Sequence, residues 1–335
     1  MRATKASGKI LTDYVELAKT LGKLPTVKEA VKHVASERQL YKHFDSFENL
    51  KVKALDQLPE LTGGDDTKAK ILILDIETAP IIAHVWDIWE QNVGLNQIVS
   101  DWHLLSWSAK WFDPSTVSES TEADVIYMDQ RKAKNIQDDK KLLEGIWKLM
   151  NEADVVITQN GVKFDSKKLN ARFVMNEMKP PSSYKHKDTF LIAKKYFGFT
   201  SNKLEYMTDK LCKKYKKLTD RKYVGHTLWT ECLKGNQDAW KEMEKYNKHD
   251  VLSLEELYTV LAPWDSSTID LNIYHNNLEN TCSCGNKEFV KDGFVFTPSG
   301  RFDRYVCTSC GHELRGSSNL LTKTKRLSLK RSITR

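Results

Sequence analysis

The run Ile71-Leu-Ile-Leu-Asp75-Ile-Glu77 constrains this chain more than any other stretch, because an otherwise apolar segment ends in two acids. Four aliphatic residues between Lys70 and Thr78-Ala-Pro80 predict a short strand buried on both faces. Side chains alternate along a strand, so Asp75 and Glu77 leave the sheet on the same side. Two carboxylates so close resist ionising together, and a hard divalent cation between them relieves the conflict. The plainer alternative is a strand end with two solvated acids.

At 335 residues the chain is long enough for two or three cores. A mean hydropathy of -0.54 and 29% charged residues describe a soluble protein. No run reaches the roughly 20 apolar residues of a membrane span. The charged N-terminus has no apolar stretch behind it, so no secretory signal is expected and the expected location is the cytoplasm. The net charge of +7 favours a polyanionic partner such as nucleic acid. Of six cysteines, Cys212 and Cys232 stand alone and read as packing residues, whereas four cluster near the C-terminus, which suits a metal site better than a disulfide framework.

Residues 1–62 carry helical periodicity. Leu11, Tyr14, Val15, Leu17 and Ala18 mark one face, and Val27, Ala30, Val31 and Val34 mark a second, with Gly22 closing the first helix and Pro25-Thr26 opening the next. A third helical element runs from Arg38 to Leu58, and the set reads as a helix-turn-helix-like module or a small packing bundle. The polar Thr62-Gly-Gly-Asp-Asp-Thr67 marks a domain boundary, with the next domain spanning 68–265. There, strands are expected over 103–112, 125–128 and 154–158, with a helix over 138–152, and this alternation predicts an α/β domain. Trp86, Trp89, Trp102, Trp107 and Trp111 read first as sheet cover and second as a stacking surface for bases.

Three further features carry polar chemistry. Asn160-Gly-Val-Lys-Phe-Asp165 is a turn followed by a helix start, where Asp165 also suits the helix dipole. Asp188 is placed to cap a helix. A long helical pattern over 236–261 contains Tyr246 and Asp250, one turn apart on one face, with His249 turned away. The lysine run containing Lys213, Lys214, Lys216 and Lys217 is either a solvated helix face or a phosphate-contacting edge.

Asp75-x-Glu77, Asn160-Gly-x-x-Phe-Asp165 and Tyr246-x-x-x-Asp250 occur in that order, with 90 residues from Asp75 to Asp165 and 85 from there to Asp250. Together they resemble the three motifs of the DEDD exonucleases of the tyrosine subtype, the DnaQ-like branch of the ribonuclease H-like fold. Asp-Ile-Glu-Thr-Ala-Pro and the sequence around Tyr246 look most similar to phage DNA polymerase exonuclease subunits and YprB-like nucleases. The resemblance implies a mixed sheet flanked by helices and 3′-5′ exonuclease activity. It further implies two Mg2+ or Mn2+ held by Asp75, Glu77, Asp165 and Asp250, with Asp75 bridging both and Tyr246 orienting the attacking water. DNA is the implied substrate, in phage replication, proofreading or repair, with a DNA polymerase as a partner and the host cytoplasm as the location. RNA as the substrate and an accessory binding subunit are the alternatives. Asn160 is a candidate nucleic-acid contact. The phrases Gly-Lys-Leu-Pro-Thr and Tyr-Lys-His-Phe-Asp-Ser-Phe-Glu-Asn-Leu resemble small DNA-binding repeats attached to phage nucleases.

Cys282-Ser-Cys284-Gly and Cys307-Thr-Ser-Cys310-Gly, within 275–316, resemble a zinc ribbon with one structural Zn2+. The first pair is one residue shorter than the usual spacing, and His275 and His312 are alternative ligands. Residues 317–335 form a basic tail expected to lack fixed structure, in which Lys325 and Arg326 are candidate phosphate contacts.

Overall fold

The computed structural model describes residues 7–22, 24–44, 46–58, 68–216, 218, 221–267, 270–274 and 280–330. Lys217, His275, the boundary at 62–67 and the last five residues of the tail lie outside these. The chain divides into two compact units, Met1–Lys68 with Leu271–Asn280, and Ala69–Asp270 with Thr281–Arg335.

The first unit contains α1 (Ser7–Leu21), α2 (Val27–His33), α3 (Glu37–Phe44) and α4 (Phe47–Leu55). Gly22, with φ +63°, ends α1, a conformation that costs glycine little. Thr26 opens α2 through a reciprocal capping box with Glu29. The third expected element is two helices, because the Ser46 side chain accepts from Asn49 N and starts a new helix. Ile10, Tyr14, Ala18, Leu40, Leu50 and Leu58 are fully buried here, and the Tyr14 hydroxyl donates to the Pro25 carbonyl at 2.7 Å.

The second unit begins with β1 (Ile71–Thr78), then β2 (Ile82–Ala83), β3 (Ile98–Ser100), β4 (Leu104–Trp111) and β5 (Ile126–Asp129). It continues through α5 (Lys140–Glu152), β6 (Val155–Thr158), α6 (Asp165–Met175), β7 (Lys185–Asp188), α7 (Thr189–Tyr196), α8 (Leu204–Leu211), α9 (Thr227–Leu233) and α10 (Gln237–Leu261). Five strands form one mixed sheet in the order β5-β4-β1-β6-β7. β1 lies at its centre, antiparallel to β4 and parallel to β6, so its apolar residues are covered on both faces. On one face Leu142, Leu143, Ile146 and Met150 of α5 pack against Leu72, Leu74 and Trp107. The helix comes so close at Gly145 that a Cβ there would meet Met128 at 2.7 Å and Trp107 at 2.9 Å. The long α10 covers the other face, against β1 and β4.

Lys185–Asp188 forms the edge strand β7, although nothing in its polar sequence Lys-His-Lys-Asp marks a strand. Its inward residue Lys187 is buried and donates to Asp265 at 2.8 Å, which ties the edge strand to the chain leaving α10. The tryptophans split between two environments. Trp107 is core and donates to the Leu142 carbonyl, whereas Trp86 and Trp89 are 98% and 76% exposed on an arm that carries β2 and β3 out from the end of β1.

The chain ends with β8 (Phe289–Thr297), β9 (Gly300–Cys307) and β10 (Glu313–Arg315), a three-stranded sheet, and α11 (Lys323–Ser328). The tail therefore has a short helix, started by the Thr322 side chain and carrying Lys325 and Arg326. Among the described residues no helix is long and apolar enough to cross a membrane.

One ion pair inside the second unit tests the packing of α10 on the sheet. Lys110 of β4 meets Glu255 of α10 at 2.5 Å, with side chains 5% and 1% exposed. Lys110→Met strands a buried carboxylate and should cost about 3 to 5 kcal/mol in urea denaturation, whereas Lys110→Met with Glu255→Leu should recover most of that loss. Equal losses in the single and double variants would show that the pair is not the relevant interaction.

Candidate metal centre and active cleft

Strand alternation and helix periodicity converge at the C-terminal end of β1. The carboxylate oxygens of Asp75, Glu77 and Asp250 lie within 4.8 Å of one another and are half-buried. The expected fourth acid, Asp165, is buried at the start of α6, outside that trio, where it accepts from Ile76 N at 3.2 Å. A hydrogen bond to the strand's own backbone thus sets the separation between Asp165 and the pair on β1.

Three residues that the sequence did not single out hold this arrangement. Asn247, one position beyond Tyr246, donates to Asp75 Oδ2 at 2.5 Å and accepts from Ser106 of β4. Trp229 of α9 donates from its indole N–H to Glu77 Oε2 at 3.0 Å. Arg221 places its guanidinium 4.3 Å from the Tyr246 ring centre, and its charge acts on both Glu77 and Asp250. Asn247 is visible in retrospect as a polar residue on an inward-facing stripe and Arg221 as the continuation of the lysine run, whereas nothing local marks Trp229.

The electrostatics follow from burial and crowding. Burial, then the charges of Glu77, Asp165 and Asp250, raise Asp75 far above the usual carboxylate range. Burial and Asp250 push Glu77 up to about 8, against the opposing pull of Trp229. Burial pushes Asp165 and Asp250 to about 7, with the Tyr246 hydroxyl opposing the shift at Asp250. Burial and the neighbouring carboxylates raise the Tyr246 phenol, so it keeps its proton.

This donor set suits a divalent ion. An octahedral Mg2+ at about 2.1 Å from its ligands places their oxygens about 3 to 4.2 Å apart, within the span these carboxylates already occupy. Asp188 is occupied elsewhere. It accepts from Asn160 N and Val162 N and caps α7 through Phe190 N, which holds Asn160 at φ +61°. A Cβ at Gly161 would collide with the Thr158 side chain, so the turn before Asp165 requires glycine. His249 faces away, bonded to the Lys216 carbonyl.

The lysine run follows α8 as a loop, not a helix face, because the Glu256 carboxylate accepts from the backbone N–H groups of Lys213, Lys214 and Tyr215. Lys214 donates its ammonium to the carbonyls of Ser118 and Ser120, while Lys213 and Lys216 are exposed.

The four C-terminal cysteines also converge. Cys282 and Cys310 sulfurs are 3.6 Å apart, as are those of Cys284 and Cys307. Tetrahedral Zn2+ with bonds of about 2.3 Å requires sulfurs about 3.8 Å apart, so the set fits that ion. The short first pair is closed by Cys282 N donating to the Asn286 carbonyl, with Gly285 at φ +87°. Burial pushes the Cys282 thiol up to about 11. Cys307 is held at about 6, because the Asn286 amide and the N–H groups of Cys310 and Ser309 outweigh its burial. His312 Nδ1 lies 3.7 Å from the Cys282 sulfur.

Residues 115–262 match the family model of the RNase H superfamily. The matched segment takes in β5, β6, β7 and α10 of the five-stranded mixed sheet and its helices, an α/β arrangement of the RNase H-like kind. Among solved structures, the family B DNA polymerase of the hyperthermophilic archaeon Pyrobaculum calidifontis is similar at 10% identity and a TM-score of 0.40, with 71% of this chain and 32% of the polymerase covered. The chain therefore spans about a third of that polymerase. No curated protein gives a significant sequence match.

Without divalent ions, Glu77, Asp165 and Asp250 bind protons more tightly in the folded than in the unfolded chain. Their contribution is complete below about pH 4 and is lost as pH rises towards about 8. Asp250→Asn removes one of the charges. Its melting temperature in divalent-free buffer should therefore rise above that of the unsubstituted protein by a margin that widens from pH 5 to pH 8, and Mg2+ should reverse the order at pH 8. A margin independent of pH and Mg2+ would contradict this account. Chelation of Zn2+ should selectively unfold residues 281–315, read by hydrogen exchange, and metal analysis should find one zinc per chain; a metal-free preparation with the same protection would exclude the site.

Proposed function

We propose that this chain is a metal-dependent 3′-5′ exonuclease acting on DNA, with two Mg2+ or Mn2+ held by Asp75, Glu77, Asp165 and Asp250. The observation that carries the reading is the convergence of Asp75, Glu77 and Asp250 within 4.8 Å at the end of the central strand of an RNase H-like sheet. The direction of attack and the choice of DNA rest on the resemblance of the three motifs to tyrosine-subtype exonucleases. Bound divalent ions would offset the charge of the phosphodiester and lower the cost of activating water.

The chain's own residues do the positioning. Asn247 and Trp229 fix the Asp75 and Glu77 carboxylates before substrate arrives, so little reorganisation is needed when it binds. Tyr246 stays protonated and stands one turn from Asp250, where its hydroxyl can orient a water for in-line attack. Arg221 lies over the Tyr246 ring and supplies positive charge that acts on Glu77 and Asp250. The four-cysteine unit would hold one structural Zn2+, and the N-terminal helices and basic tail would hold nucleic acid. A DNA polymerase is the partner proposed for such an exonuclease.

A time course on end-labelled single-stranded DNA, duplex DNA and RNA with Mg2+ should show mononucleotides leaving the 3′ end of DNA. Asp75→Ala and Asp250→Ala should each lower the rate at least about a hundredfold while the protein remains folded. Tyr246→Phe should lose about a hundredfold yet keep its Mg2+-induced rise in melting temperature. Near-normal cleavage by both Asp variants would overturn the assignment, and preferential release from RNA would move it to the exoribonucleases.

A further inference from the structure

A groove of about 900 Å3 runs along the edge strand β5 and the first turn of α5, and no part of the acid cluster lines it. The loop of residues 130–139 that forms its wall leaves the sheet at the same end as the acids. Across the sheet, Glu77 pairs with Ser106 and Ser106 with Asp129, so the groove begins two strand spacings, about 10 Å, from the metal ligands.

Its charge is uncommitted. Lys132, Lys134, Lys140 and Lys141 are exposed along it, and none of their ammonium groups has an ion pair among the described residues. Three acids line the groove as well: Asp129 accepts from the Arg131 backbone and guanidinium, Asp138 accepts from Lys140 N, and Glu144 of α5 is exposed. The loop is also fixed in place. Gln130 N donates to the Leu105 carbonyl, the Gln130 amide donates to the Asp138 carbonyl, and Arg131 reaches Glu244 of α10. Residues 71–109, which include the arm, contain none of the chain's 52 lysines and arginines, and the arm, which meets the 130–139 loop where Gln137 Nε2 donates to Ser100 Oγ at 3.1 Å, carries exposed Asp87, Glu90 and Asp101. A polyanion that reaches the acids therefore gains nothing from the arm and must be gripped from other elements.

We infer that this groove holds the sugar-phosphate backbone of the nucleic-acid substrate away from the reacting end. The inference rests on the nuclease reading. Four lysines on the loop at the acids' end of the sheet and on the first turn of α5 neutralise successive phosphates and release their counterions, which supplies affinity without base preference. The chemistry at the acids is untouched by them, so the groove determines how long a strand stays bound rather than how fast one bond breaks.

The test is the full chain carrying Lys132→Glu, Lys134→Glu, Lys140→Glu and Lys141→Glu together. Binding of a fluorescein-labelled 20-nucleotide single-stranded DNA is followed by anisotropy in divalent-free buffer over a range of NaCl concentrations. The slope of log Kd against log salt should fall by about 3, and Kd at 100 mM NaCl should rise at least about tenfold. Hydrolysis of thymidine 5′-(p-nitrophenyl) phosphate with Mn2+, a substrate too short to reach the groove, should be unchanged. An unchanged slope, or an equal loss on the small ester, would overturn the inference. Should the unsubstituted protein cleave neither substrate while the slope still falls, the nuclease reading fails and the groove stands; ester hydrolysis with an unchanged slope means the reverse.

Discussion

Repulsion among carboxylates at the end of β1 is the constraint on which the rest of the domain depends. Crowded acids drift apart unless something opposes them, and here the opposition comes from hydrogen bonds to three different elements. The strand's own Ile76 N holds Asp165, α10 holds Asp75 through Asn247, and α9 holds Glu77 through Trp229. The central position of β1 in the sheet gives those contacts a stiff base, because it is paired on both edges and packed on both faces. The protons retained by Glu77, Asp165 and Asp250 measure the remaining imbalance, which a divalent cation would neutralise.

The parts of the fold legible in the sequence are those in which local pattern and burial agree. β1 and β6 are aliphatic runs, α5 and α10 have clear periodicity, and the structure places all four close to the expected limits. β7 is illegible because its stabilisation is tertiary, the buried Lys187 meeting Asp265 some 78 residues away. The same distinction applies to the cleft. Asp75 with Glu77, and Tyr246 with Asp250, declare themselves through spacings of two and four. Trp229 lies 152 residues from the carboxylate it holds, and no local rule connects them. The lysine loop after α8 misleads in another way, since a run of like charge gives no sign that a single distant acid, Glu256, caps its backbone.

Charge is partitioned around the cleft in a manner that the overall +7 conceals. The arm is acidic and apolar, whereas positive charge is carried by Arg221 beside the acids and by the lysines of the β5 groove. Net charge describes the average attraction for a polyanion, whereas this partition describes a direction of approach. The fixed loop at 130–139 and the aromatic arm at 79–103 leave the same sheet end and touch there, Gln137 Nε2 donating to Ser100 Oγ at 3.1 Å.

The absence of lysine and arginine from residues 71–109 also governs how the molecule meets proteases. Trypsin, which cuts after those two residues, has no site between Lys70 and Lys110, so β1, the arm and nearly all of β4 stay on a single peptide even where the arm projects into solvent. A protease that cuts after aromatic residues finds Trp86 and Trp89 almost fully presented. Tryptic resistance of this region therefore reports on composition rather than rigidity, and the arm's exposure is legible only to an aromatic-specific enzyme.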